Sequence, residues 1–255
     1  VTFDDGQRDN FVHARPVLAR YGVPATFFVS AANVSSGEPL WHDRIAFAVA
    51  KLVEQLGADA DDVVRGIFGA NREEMSPSPD FSSSLARWAV ARAKTLALDA
   101  RDEAIQRLCS RVDGPLVPEW DGIMSWEELR TLKAEGHEIG SHAMTHALLL
   151  DTQGCDQRWE VAESKHVIER EIGVPIRTFC YPNGSYDRTT LRELQAAGYD
   201  CAVTTQWGSN RRGTSPFELR RFDIQAERNR SSSGHVSHPV LAWRLADLRI
   251  GRDRT

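Results

Sequence analysis

Long apolar runs are missing from this 255-residue chain. None reaches the roughly 18 residues that a membrane-spanning helix needs. Positive charge is not in excess, because the formal net charge is −5, and this argues against a nucleic-acid partner. The four cysteines, Cys109, Cys155, Cys180 and Cys201, contain no CxxC pair. That spacing speaks against a zinc knuckle or a disulfide framework, and the thiols are expected to be reduced and partly buried. No signal-peptide pattern, internal repeat or low-complexity segment is visible. The sequence opens on Val1 inside a stretch of strand character. An upstream segment is therefore expected, and the compartment stays open.

What is present suffices for a large core. Hydrophobic residues make up 41% of the chain and charged residues 26%, which allows one large domain or two small ones. Val1-Thr2-Phe3 reads as a strand that ends in Asp4-Asp5-Gly6. Apolar residues at helical spacing from Asp9 to Tyr21, closed by Gly22, predict a helix. Val23 to Val29 follows as a continuous apolar strand of the kind buried in parallel sheets. Residues 35–120 carry little strand signal. A helix is predicted from Trp41 to Leu56, a polar loop over Ser76–Ser84 and more helix from Leu85 to Arg111. This stretch is expected to be a helical insertion, placed as a lid.

The βα pattern then resumes. Ser125 with Glu128 forms a capping-box signature, and its helix ends at Gly136. Strands are expected at His137–His142, Ile176–Tyr181, Tyr199–Thr205 and Leu219–Ile224. Helices are expected at Gln157–Glu171 and Asp187–Ala197, with a closing helix over Pro239–Leu248. Repeated βα units of this length favour a parallel α/β barrel over an open sheet.

Three stretches at strand tips carry chemistry. At the first tip, Asp4 and Asp5 can lean into one cavity, where a metal, an arginine or water must offset their repulsion. Read alone, Asp-Asp-Gly is also an ordinary acidic turn. The second tip carries His142-Ala143-Met144-Thr145-His146. On a helix, one turn would place both imidazoles on the same face. With Asp5 they make a candidate metal site of two nitrogens and one carboxylate oxygen. Such a set leaves a coordination position open, as in catalytic zinc. At the third tip, Tyr181-Pro182-Asn183-Gly184 forms a rigid turn, able to aim a backbone N–H at a developing oxyanion; alone it is equally a plain βα turn. His13, His42, His137 and His166 are read as surface or packed histidines. No serine or cysteine nucleophile constellation is seen.

Thr2-Phe3-Asp4-Asp5-Gly6, Ser141 to His146 and Phe179 to Gly184 resemble, in order, the first three motifs of the polysaccharide deacetylase (NodB-homology) family. Met124 to Leu129 and Gly136 to Gly140 resemble it too. The likeness covers Val1 to about Ser30 and Gly122 to Ile224. It implies a distorted (β/α) barrel, one catalytic domain over 1–255 with the helical insertion at 35–120, and a divalent metal, zinc by preference. It also implies an N-acetylated carbohydrate as substrate, deacetylated by an activated water. Asp5, His142 and His146 would be the ligands and Asp4 the general base. Tyr181 and Asn183 would join the catalytic set, and Pro182, Gly184 and Trp207 would contact substrate.

Two departures stand out. Many members carry an arginine where this chain has Cys180. The sequence is similar instead to a Tyr-Pro-x-Gly branch with a late Leu-x-Arg, which makes Arg221 the candidate to hold Asp4. The Leu-x-His strand that supplies a general acid in many members is also missing. His235 and His238 are candidates for that role, and Asp4 could otherwise return its proton to the leaving amine. Trp41, Trp120 and Trp207 are candidates for sugar stacking. Two other readings compete with this one: the same barrel acting on a non-sugar amide or cyclic imide, and a non-catalytic carbohydrate-binding relative.

Overall fold

The computed structural model describes residues 1–69, 80–117, 122–152, 155–224 and 235–236. Six short strands lie in chain order in one sheet: β1 (Thr2–Phe3), β2 (Thr26–Val29), β3 (Glu138–Ser141), β4 (Thr178–Cys180), β5 (Cys201–Trp207) and β6 (Leu219–Arg221). Every neighbouring pair is parallel. The sheet curls so far that Arg221 on β6 donates to the Thr2 hydroxyl on β1 at 3.0 Å. Among the described residues no backbone ladder joins β1 to β6, so the architecture is a curled, incomplete (β/α) barrel.

Alternation along the strands sorts the side chains. Register pairs Thr26 with Glu138 and Phe28 with Gly140. The Thr26 and Thr178 hydroxyls both donate to the Glu138 carboxylate, at 2.7 and 3.1 Å. Phe28 fills the axis above them, where a Cβ on Gly140 would stand 2.6 Å from its ring. Glu138, Gly140 and His142 are thus in phase, as a period of two requires. Ile139, Phe27 and Phe179 point outward into the core shared with the helices.

The helices α1 (Arg15–Tyr21) and α2 (Ala31–Ser36) follow β1 and β2. The stretch after α2 holds, among the described residues, α3 (Trp41–Leu56), α4 (Ala60–Phe68), α5 (Phe81–Ala93) and α6 (Leu98–Cys109). They pack on one another through Ile45, Leu52, Phe68, Leu85 and Ile105, a core separate from that of the barrel. Asp80 caps α5 by accepting from Ser83 N–H, so the expected loop gives way to helix at Phe81; the loop's first part, 76–79, lies outside the described residues. Around the barrel come α7 (Trp126–Ala134), with both bonds of its capping box, α8 (Cys155–Ile172) and α9 (Arg188–Ala196). No helix among the described residues is long and apolar enough to cross a membrane.

The predicted helix at 9–21 is divided. Residues Asn10–Ala14 form a π-helical turn before α1 begins. A wider turn shifts the phase of the stripe, so Leu18 is buried while Val12, Val17 and Tyr21 are exposed. The closing helix expected over Pro239–Leu248 lies outside the described residues.

Candidate metal centre

Asp4 and Asp5 share a cavity because the backbone turns between them. Asp5 adopts φ 72° and Gly6 φ 73°. A left-handed residue costs roughly 1–2 kcal/mol, least for Gly, Asn and Asp. It also cancels the alternation that would have pointed the two carboxylates apart. Gly6 is further confined by Val29, whose Cγ1 would stand 3.2 Å from any Cβ there.

His142 to His146 does not form a helix, contrary to the HxxxH reading. The segment is an irregular loop beyond β3, with Ala143 at φ 64° and His146 at φ 58°. The imidazoles meet through that double reversal and not through helical spacing. Glu160 of α8 secures the loop by accepting from the N–H groups of Met144 (2.8 Å) and Thr145 (2.9 Å) and from the Thr145 hydroxyl. Burial pushes the Glu160 carboxyl above its usual range, against these bonds. Sequence reasoning missed Glu160. Its signal was a carboxylate in phase with Ser164 and Val167, on the buried face of α8.

The candidate ligands converge. His142 Nε2 and His146 Nε2 each lie 3.2 Å from Asp5 Oδ1. Their ligand atoms all fall within 4.8 Å of one another. His142 Nδ1–H donates to the Cys180 carbonyl at 2.7 Å, which turns the Nε2 lone pair toward Asp5. Burial opposes ionisation of Asp5, but the two imidazoles outweigh it and hold the carboxyl well below its usual range. Burial depresses His146 to about 4, the neutral and ligating form at pH 7. His142 is raised because Cys180 and Asp5 together overcome its burial. Two nitrogens facing one carboxylate oxygen fit a divalent ion of the zinc kind. Asp4, His142 and Cys180 also lie close enough to hold an ion. In that second group, however, burial raises the Cys180 thiol and Asp4 is taken by another residue.

That residue is Arg221. Its Nη1 and Nη2 donate to the two oxygens of Asp4, each at 2.7 Å. Its Nε donates to Thr204 O, and Nη2 lies 3.3 Å from Cys180 Sγ. Burial pushes Asp4 up, but Arg221 and His142 win and leave its carboxyl below the usual range. Arg220 is exposed, and its backbone bonds Asn210.

A cavity of about 270 Å³ opens over these groups. Tyr181, Asn183 and Thr205 line it from the barrel, and Leu148 from the metal-ligand loop. Trp41, His42, Val90 and Lys94 line it from the helical unit. Lys94 Nζ donates to Asn183 Oδ1 at 2.7 Å. A lysine just past a helix C-terminus looks like an ordinary partner of the helix dipole, so nothing in the sequence marked it. His42 is packed in the cavity wall, with its ring 5.0 Å from that of His146, and belongs to neither candidate ligand group. His137 is buried and accepts from Ala25 N–H, while His13 and His166 are exposed.

Other expected residues are placed differently from the expectation. Tyr181 lines it, but its hydroxyl donates to Phe217 O. Pro182 is buried and Gly184 packs on Thr205, so both shape the turn from behind. The N–H groups of Tyr181, Gly184 and Ser185 are bonded within the fold and so are not aimed at an oxyanion. Trp207 packs edge-on against Phe222, away from the lining. His235 is exposed and is not part of the lining. His238 and Trp120 lie outside the described residues. Cys109, Cys180 and Cys201 are free thiols.

The family model for polysaccharide deacetylases matches residues 1–65 and 95–202. YxkH of Bacillus subtilis (strain 168), named for the same family, is 27% identical over 108 residues, 42% of this chain and 39% of that protein. An uncharacterised protein of Streptomyces coelicolor is 30% identical over 80 residues, 31% of this chain and 30% of its own. The chain thus matches well under half the length of these relatives. Among solved structures, the Streptococcus pyogenes deacetylase PplD in complex with acetate aligns at TM-score 0.52 and 17% identity, over 88% of this chain and 62% of that one. IcaB from Ammonifex degensii aligns at 0.52 and 18%, over 96% and 72%. At these identities the likeness is one of fold.

Proposed function

The chain belongs to the polysaccharide deacetylase family, and from that premise we propose that it is a metal-dependent hydrolase removing N-acetyl groups from an amino-sugar polymer or oligosaccharide. One observation carries the reading: Asp5, His142 and His146 converge in the same cavity as an Asp4 clamped by Arg221. A divalent ion held by that triad, zinc by preference, would polarise the amide carbonyl and acidify a water.

The chain's own residues do the rest. Asp4, kept ionised and fixed by Arg221, takes a proton from the attacking water as it adds to the acetyl carbon. The C–N bond then breaks, acetate leaves, and Asp4 passes that proton to the departing amine. No histidine acid is required for this balance. Asn183, whose amide oxygen accepts from Lys94, keeps its NH₂ group to offer a sugar oxygen. The helical unit at 35–120 acts as the cavity's second wall.

The test is acetate release from N-acetylglucosamine oligomers by the metal-loaded protein. Release that disappears in Asp4→Asn supports the proposal; none from any N-acetylated sugar overturns it. The alternative, a non-sugar amide substrate, draws on how few of the expected tryptophans, among the described residues, offer a free stacking surface. Of the tryptophans expected to stack, Trp207 is outside the lining, and Trp41 has its indole N–H engaged. Hydrolysis of a simple N-acyl amide with no action on sugars would select that alternative.

A further inference from the structure

We infer that Trp41 positions His146 for metal binding, so that the helical unit, and not the barrel alone, sets the affinity of the site. This rests on the metal reading above. The loop that carries both histidines is held residue by residue. Ser30 Oγ donates to His142 O at 2.9 Å, Ala31 N to Ala143 O at 3.3 Å and Ala32 N to Met144 O at 2.8 Å. Glu160 takes the N–H groups of Met144 and Thr145. All these partners belong to the barrel and its helices α2 and α8. At His146 the source changes: the indole N–H of Trp41, first residue of α3, donates to His146 O at 3.2 Å in a buried contact.

His146 needs that hold for two reasons. It is a non-glycine residue at φ 58°, a conformation that costs roughly 1–2 kcal/mol and persists only where surroundings impose it. Its ring is also unsupported from behind. His142 Nδ1 is fixed by Cys180 O, whereas the buried His146 Nδ1 has no hydrogen-bond partner. A ligating histidine usually has its second nitrogen bonded, which fixes the ring. For His146 the fixing falls to the backbone bond from Trp41 and to ring contacts with His142 at 4.8 Å and His42 at 5.0 Å. His42 is also on α3. Trp41 is itself clamped, 8% exposed and with the Arg101 guanidinium of α6 4.6 Å from its ring. A continuous path therefore runs from α6 through α3 to the third ligand.

The experiment compares wild type, Trp41→Phe and Trp88→Phe. Trp88 belongs to the same helical core, with Arg65 over its ring at 4.9 Å, and serves as the control. Zinc dissociation constants are measured by competition with a chromophoric chelator, alongside the visible spectra of the cobalt-loaded proteins and the melting temperatures of the metal-free forms. Trp41→Phe is expected to raise Kd about 10-fold or more, the scale of a lost outer-shell partner, and to shift the cobalt spectrum. Trp88→Phe should bind as wild type even if its melting temperature falls. A Trp41→Phe protein with wild-type Kd and spectrum overturns the inference, as does equal weakening in both variants. If Trp41→Phe does not fold, Arg101→Met, which loosens the ring but leaves its N–H, must weaken zinc binding severalfold or the inference falls. A wild type that binds neither ion sinks the metal reading and this inference together. Wild-type binding with an indifferent Trp41→Phe sinks this inference alone.

Discussion

Arg221 uses the full length of its side chain: from its own place on β6 it touches β1, β4 and β5. Its planar fork gives two parallel bonds to Asp4, which a lysine cannot reproduce. Arg221→Ala should therefore lower kcat about 100-fold, as expected when a catalytic group loses its orientation, with metal content near wild type by atomic absorption. Arg221→Lys should recover little of this and Arg220→Ala should lose almost nothing; equal damage from the two alanines would contradict the arrangement. Glu160 is the second residue with a sharp expectation. Glutamine keeps one acceptor but introduces a donor against loop N–H groups. Glu160→Gln should cost about 1–3 kcal/mol, the penalty of an unsatisfied buried group. Denaturant unfolding of the metal-free protein reads this directly, and an unchanged midpoint would mean that the loop is held elsewhere.

At the scale of elements, α5 is the piece that sequence reading placed least well. Its Val90 and Lys94, one turn apart, enter the cavity together. Lys94→Ala should raise KM for a sugar substrate about 10-fold, the value of one charge-assisted bond, and leave the zinc dissociation constant unchanged. A change in metal affinity would place Lys94 in the ligand scaffold instead. The alternation of strands and helices was legible because short apolar runs such as Val23 to Val29 alternate with stretches of helical spacing, several of them closed by a glycine such as Gly22, Gly136 or Gly198. The capping box at Ser125 and the closing Gly22 marked their helix termini correctly. The histidine loop was not legible as a loop. HxxxH has helical spacing, and the left-handed turns at Ala143 and His146 depend on Glu160 and Trp41, which are distant in sequence. The convergence of Asp5 with the two histidines needed only strand tips at one end of a barrel. The contribution of α5 could not be read, since which face of an inserted helix meets the barrel depends on packing between two cores.

For the whole molecule, ion binding should appear as stability. Zinc at about 100 times its Kd should add about 2.7 kcal/mol to the unfolding free energy. A chelator should remove the gain, and His146→Ala should show no zinc-dependent shift in melting temperature. A mutant that still responds as wild type would mean that the ion sits elsewhere. The two cores, one in the barrel and one among α3–α6, meet at the cavity, so loss of the ion should destabilise both.

The Asp4–Arg221 pair spans 217 residues of chain. During synthesis its two halves leave the ribosome in that order, roughly 10–40 s apart at ordinary elongation rates. The nascent protein therefore carries Asp4, the proposed base, long before Arg221 can orient it. A chain halted ahead of β6 would have every candidate ligand and no oriented Asp4. Under the proposed mechanism, competence for hydrolysis would arrive only with β6, the last strand among the described residues.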